Sequence, residues 1–174
     1  MTNVLAIIPA RGGSKELKGK NLKELDGHPL VSWSLVQAIE ELGENNVIVS
    51  TDNKDIYSAA AKYGHKFNYM RPKILAKDSS PTEPCMIHAL DWYVKYYQEP
   101  KYVMLLQPTS PLRKKNRLKE VIQFTENGGF DSTLSVCETR SFFWKGTKNP
   151  ISSYDFNNRP RRQDVQKEDK LYME

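Results

Sequence analysis

The run IIPARGGSKELKGKN at residues 7–21 sets Arg11, Lys15, Lys18 and Lys20 around the pair Gly12-Gly13, with Lys23 just beyond. Glycines carry no Cβ, so their backbone N–H groups can approach an anion closely and form a concave donor nest. Arginine and lysine add charge-assisted hydrogen bonds. These residue types at this spacing are chemistry for phosphate. Neither common phosphate motif fits, however. A P-loop has four residues between its glycines and a hydroxyl residue after its lysine; here five residues separate Gly13 from Gly19, and Asn21 follows Lys20. The dinucleotide pattern G-x-G-x-x-G is absent too.

A second cationic group stands at RPRRQD, residues 159–164, with three arginines in four positions. The guanidinium fork binds two oxygens at once and suits phosphate and carboxylate alike. The net charge of +5 is concentrated at Arg11–Lys23, Lys114–Lys119 and Arg159–Arg162, with mixed segments between. Local concentration fits a small polyanionic ligand at least as well as a nucleic acid. His28, His65 and His88 form neither a metal set nor a triad, and packing roles are expected for them. Trp92, Tyr93, Tyr96 and Tyr97 make an aromatic stripe for core or interface packing. Two cysteines, Cys85 and Cys137, give no disulfide framework and no zinc set, which points to a reducing cytoplasm. No apolar run nears the roughly 18 residues of a membrane span, and the first residues lack the marks of a signal peptide.

The elements that must position these groups alternate. Val4–Ile8 is a continuous apolar run, as expected of a strand covered on both faces. Pro29–Leu42 has helical spacing at Val31, Leu35, Ile39 and Leu42, with a proline at its start. Strands are expected at 46–51, 102–106 and 132–137, with a short one at 66–70. Helices are expected at 55–63, 82–97 and 117–126. Ser80-Pro81-Thr82-Glu83 reads as a helix start, with Ser80 as N-cap. The class is α/β: a mainly parallel sheet with helices on both faces, whose ligands bind beyond the carboxyl ends of the strands. Residues 1–174 are expected to form a single domain, with 140–174 irregular and arginine-rich.

Several motifs together resemble the acylneuraminate cytidylyltransferases, the CMP-sialic acid synthetases. They are IIPARGGSK with GKN, STDN at 50–53, RP at 71–72, LLQPTSPLR at 105–113 and RPRRQD at 159–164, in the family's order. The resemblance implies a Rossmann-like nucleotidyltransferase fold and transfer of CMP from CTP to a nonulosonic acid, with release of pyrophosphate. It implies that Arg11, Gly12, Gly13, Lys20 and Asn21 hold the triphosphate, and that Arg71, Ser80 and Thr82 meet the cytosine. Gln107 would contact ribose or sugar. Arg159, Arg161 and Lys20 would act on the phosphates, and Lys145 and Arg162 would serve the sugar side. Arg113 and Lys15 are weaker candidates. The family also implies Mg²⁺, with its ligands expected outside this chain, and a homodimer in the full-length enzyme. The chain is thus expected to be the N-terminal portion of such an enzyme. The acid could be sialic, legionaminic or pseudaminic, and a non-catalytic nucleotide- or RNA-binding module is the alternative.

Overall fold

The computed structural model describes residues 3–14, 17–139, 141–155, 157 and 171–173. The chain divides into two compact units, Met1–Phe124 and Thr125–Glu174.

The first unit is built on a three-stranded parallel sheet. β1 (Val4–Pro9) lies at its centre. A two-residue hairpin follows, β2 (Glu24–Leu25) against β3 (His28–Pro29), and then α1 (Leu30–Leu42), β4 (Val47–Ser50), α2 (Lys54–Lys62), α3 (Thr82–Val94), β5 (Tyr102–Leu105) and α4 (Arg117–Gly128). The strand order is β4-β1-β5. Ala6 pairs with Val47 on one side of β1 and with Met104 on the other. The hairpin turns at Asp26-Gly27, both with positive φ (51° and 76°), the Asp-Gly chemistry that two-residue turns select.

β1 reads as an unbroken apolar run because both its faces are covered. Val4, Ala6 and Ile8 join Val31, Leu35 and Ala38 of α1, Ile56 and Ala60 of α2, and Leu118 and Ile122 of α4 in one core. Leu5 and Ile7 turn to the opposite face, against Phe67, Tyr69, Ala89 and Tyr93. The period-2 alternation of strand side chains therefore divides β1 between two layers of packing. Helices on both faces of a parallel sheet were expected and are found.

Three local expectations are corrected. Residues 66–70 alternate, with Phe67 and Tyr69 buried and Lys66, Asn68 and Met70 outward, but they form no strand. The buried rings pack on α3 residues such as Tyr93, and Arg71 N–H donates to Thr51 O, just past β4, at 2.8 Å. Residues 132–136 are exposed and irregular, and only Cys137–Thr139 forms a strand. Ser80 does not cap α3. Pro81 occupies the N-cap position, and the Ser80 hydroxyl donates to the Ile74 carbonyl at 3.0 Å instead.

In the second unit β6 (Cys137–Thr139) pairs antiparallel with β9 (Leu171–Met173), and β7 (Trp144–Lys145) pairs with β8 (Ile151–Ser152). The Phe142 and Tyr154 rings pack beside this hairpin, 4.6 Å apart.

His65 locks the segment after α2 to the sheet. Its Nε2 accepts the Val49 N–H at 3.1 Å, so the neutral ring carries its proton on Nδ1, which is buried without a hydrogen-bond partner among the described residues. Desolvation lowers its pKa from 6.5 to about 4. The unfolded chain therefore binds more protons than the folded one between those values. This contribution to stability is full above pH 6.5 and is lost as the pH drops toward 4, by about 1.4 kcal/mol per unit at most. Thermal denaturation between pH 7.5 and 4.5 should show this fall in the wild type and a shallower one in His65→Gln, which keeps an acceptor. Equal slopes would assign the pH dependence to other groups.

Candidate functional site

A cavity of about 670 Å³ opens in the first unit. Its walls come from three places: Pro9 to Asn21 after β1, Arg71 to Cys85 before and within α3, and Gln107 to Thr109 after β5. It thus lies beyond the carboxyl ends of parallel strands, where open α/β sheets place ligands.

Of the residues expected to bind nucleotide, Arg11, Lys20, Asn21, Arg71, Ser80, Thr82 and Gln107 all line this cavity. Their chain positions span almost a hundred residues, and the sheet brings them together. Arg159, Arg161, Arg162 and Lys15 lie outside the described residues. Lys145 is exposed on β7 of the second unit.

The first loop is fastened to the end of β4. Gly12 N–H donates to Asp52 Oδ1 at 2.9 Å, and a Cβ on Gly12 would stand 2.8 Å from the Asn53 Cβ. This corrects part of the phosphate nest: the Gly12 amide is already engaged by a carboxylate. Asn53 is itself fixed, because its Oδ1 caps α2 by accepting Asp55 N–H and Ile56 N–H at 2.7 and 3.1 Å. Gly13 has open space where its Cβ would be. Buried Asn21 closes the loop by donating to the Arg11 carbonyl at 2.9 Å. Gly19 enters the short 3-10 turn Lys20–Leu22 with φ 67°.

Arg71 is only 6% exposed. Its Nε–H donates to Ser50 Oγ at 3.1 Å and its Nη2 to the Ser50 carbonyl. Arg11 pairs with Asp78 at 2.5 Å across the cavity mouth. The described wall carries four cations, Arg11, Lys20, Arg71 and Lys77, against the one carboxylate of Asp78. Asp78 and Lys77 were not singled out from the sequence, because isolated charges in a polar stretch carry no spacing signal.

Arg113 serves the scaffold. Its guanidinium donates to Ser34 Oγ at 2.9 Å and to the Gln107 carbonyl at 3.1 Å. Desolvation pulls it below the ordinary arginine value, opposed by Glu41. It braces the turn after β5, where Ser110 N–H also donates to the Gln107 carbonyl at 3.1 Å.

The resemblance puts the magnesium ligands outside this chain. Asp78 is paired with Arg11, and no three His, Cys, Asp or Glu side chains gather anywhere among the described residues. The described side chains do not fit a magnesium site.

An α/β sheet with a cationic cavity at its carboxyl edge is an arrangement suited to anionic ligands. The family model described as "Cytidylyltransferase" matches residues 5–170, and the chain belongs to that family. It is 39% identical over 137 residues to the CMP-N,N'-diacetyllegionaminic acid synthase of Legionella pneumophila, covering 76% of this chain and 57% of that protein. It is 33% identical to the N-acylneuraminate cytidylyltransferase of Oncorhynchus mykiss, over 93% of this chain and 38% of that one. It is 30% identical to a pseudaminic acid cytidylyltransferase of Campylobacter jejuni, over 94% and 72%. The chain thus spans less than two thirds of the first two relatives. The solved structure of CMP:2-keto-3-deoxy-manno-octonic acid synthetase complexed with CTP superposes with a TM-score of 0.60 at 23% identity, over 76% of this chain and 50% of that one, which establishes the shared fold.

The two glycines of the loop should differ in tolerance. Gly12→Ala forces Asn53 to move and should cost about 1–3 kcal/mol, the range of overpacked sites. Gly13→Ala meets nothing and should change stability by less than about 0.5 kcal/mol. Chemical denaturation of both variants measures this, and equal costs would mean that the loop does not rest on Asn53.

Proposed function

We propose that this chain is the nucleotide-binding part of a cytidylyltransferase that transfers CMP from CTP to a nonulosonic acid. The observation that carries this reading is the cavity wall of Arg11, Lys20, Arg71 and Lys77 in a chain of the cytidylyltransferase family. In the reaction, the anomeric hydroxyl oxygen of the acid attacks the α-phosphorus. The bond to the pyrophosphate oxygen breaks, the hydroxyl gives up its proton, and pyrophosphate leaves. Such a displacement asks the protein chiefly for position and for stabilisation of charge on oxygens.

Arg11 and Lys20 take the phosphates in this proposal, with Asn21 holding the loop that presents them. Arg71, Ser80 and Thr82 form the base end. The start of α3 there offers first-turn N–H groups, which suit the O2 and N3 acceptors of cytosine. Gln107, at the end of the central sheet, faces ribose or sugar. Arg159, Arg161, Arg162 and Lys145 enter from the resemblance alone as groups for the phosphates and the sugar carboxylate. A homodimer of the full-length enzyme and a cytoplasmic setting rest on the same footing; sedimentation of the full-length protein tests the first. Among the described residues no helix is long and apolar enough to cross a membrane.

Thermal shifts with CTP, UTP, ATP, GTP and a short RNA test the nucleotide choice. CTP should stabilise most, by about 2.7 kcal/mol at a hundredfold excess over Kd. Equal shifts for all four nucleotides would leave only a generic phosphate site, and a larger shift with RNA would favour the RNA-binding alternative.

Two lysines of the first loop give a sharper contrast. Lys20 lines the cavity, whereas exposed Lys18 does not. Lys20→Ala should weaken CTP binding by about 1.5–3 kcal/mol, the worth of a hydrogen bond to a charged group. Lys18→Ala should change it by less than about 0.5 kcal/mol, the effect of a screened surface charge. Titration calorimetry decides; comparable losses would mean diffuse attraction rather than a site.

A further inference from the structure

Arg71 is a buried cation whose partners are neutral oxygens. Ser50 supplies both that the described residues show, its hydroxyl at 3.1 Å and its carbonyl, and no carboxylate pairs with Arg71 among those residues. Behind Ser50 the hydrogen bonds continue. Ser50 Oγ lies 3.4 Å from Tyr69 Oη, and Tyr69 Oη lies 2.9 Å from His88 Nδ1 on α3. Ser50 and Tyr69 are 0% and 1% exposed, while His88 is half-buried.

The proton inventory gives this series a direction. Arginine only donates, so Ser50 Oγ accepts at Arg71. When His88 is neutral with Nδ1 as acceptor, Tyr69 donates to it, and the Tyr69 oxygen accepts from Ser50. Each hydroxyl then points away from the cation, in the order Arg71, Ser50, Tyr69, His88. Bonds aligned in this way polarise one another and strengthen the first. When His88 is protonated, Nδ1 donates and Tyr69 must accept. Its O–H turns toward Ser50, and the Ser50 hydrogen turns to Cys85 Sγ, 3.4 Å away. Ser50 Oγ then receives two donors, and its hold on Arg71 weakens.

We propose that Ser50 and Tyr69 are positioning residues that hold the Arg71 guanidinium at the cavity wall, and that this hydrogen-bonded series couples Arg71 to the protonation of His88. The functional half rests on the reading of the cavity as a CTP site. The Tyr69 phenol stays protonated throughout, because burial raises its pKa, reinforced by Cys85 and opposed by Ser50 and Arg71. Tyr69 faces His88 from the segment after α2, with Ser50 of β4 and the Arg71 charge beyond. On its own helix Cys85 stands three residues before it and Asp91 three after.

Two measurements test this on the whole chain. In the first, which needs no nucleotide, the Arg71 Nε–Hε and His88 ring resonances are followed by NMR from pH 8 to 5. The Arg71 signal should titrate with the His88 midpoint in the wild type and be flat in His88→Gln and Tyr69→Phe. A flat wild-type Arg71 signal while His88 titrates overturns the coupling. Should Tyr69→Phe fail to fold, His88→Gln at its half-buried position carries the comparison.

In the second, CTP affinity is measured over the same range in wild type and His88→Gln. The terminal phosphate of CTP titrates near this range too, but equally for both proteins. The ratio of their Kd values should therefore isolate His88. Wild-type binding should weaken by about two- to fivefold more than that of His88→Gln as the pH falls, a fraction of one charge-assisted hydrogen bond. A constant ratio overturns the functional half. Absence of CTP-selective binding at every pH, with Arg71 still following His88, would overturn the nucleotide reading and leave the coupling standing.

Discussion

Gly12 has no room for a β-carbon, and the site is arranged around that contact. The backbone leaving β1 comes within van der Waals reach of Asn53 and gives its N–H to Asp52. Asn53 cannot retreat without uncapping α2, because the same side chain accepts the Asp55 and Ile56 amides. The loop after β1 and the start of α2 are therefore one mechanical piece. Arg11 and Lys20, on either side of the fastened point, inherit their positions from it. A larger residue at 12 would act on the cavity without touching a ligand.

The other two walls are fixed by the same kind of bond, a polar side chain reaching the backbone at a strand end. Arg71 bonds the Ser50 carbonyl where β4 finishes. Arg113 bonds the Gln107 carbonyl where the chain leaves β5. Each of these carbonyls also accepts a backbone N–H, from Ala10 at Ser50 and from Ser110 at Gln107, at 2.9 and 3.1 Å, and the second lone pair of each calls for a further donor. Arginines meet that need here, and the strand ends are held while their side chains or successors face the cavity.

The layering of the fold was legible because its signals are strong and local. β1 is apolar throughout, and the apolar residues of α1 repeat every three to four positions. Of the nine residues expected at the nucleotide from motif fragments, seven line one cavity, and Gly12 and Gly13 are not among its lining. What failed depended on partners outside the local pattern. Phe67 and Tyr69 alternate as a strand would, but the surface that receives them is α3. Ser80 has the right neighbours for a cap, yet Pro81 takes that position and Ile74 takes its hydroxyl. The 132–137 run has β-forming residues, and only its last one enters the described strand, paired with Met173. Asp78 and His88 carry no spacing signal, and Asp52 was legible only as part of the STDN fragment, with no role assigned to it; each matters through a residue far along the chain.

Donor accounting separates the cations of the scaffold from those left for a ligand. Arg113 donates to Ser34, Gln37 and Gln107, all within the protein, so little of its fork remains. Arg71 is intermediate, because its bonds to Ser50 fix the guanidinium without cancelling its charge. Lys20 has no side-chain partner among the described residues. Arg11 sits between the last two: its pair with Asp78 is half-exposed, and such pairs are worth little in water. An entering polyanion would compete with Asp78 for Arg11 at small cost, while removal of Arg113 from its three oxygens would dismantle the turn itself. Arginine is thus used for opposite purposes at 11 and 113, and the difference lies in the oxygens already within reach rather than in the residue type or its distance from the cavity.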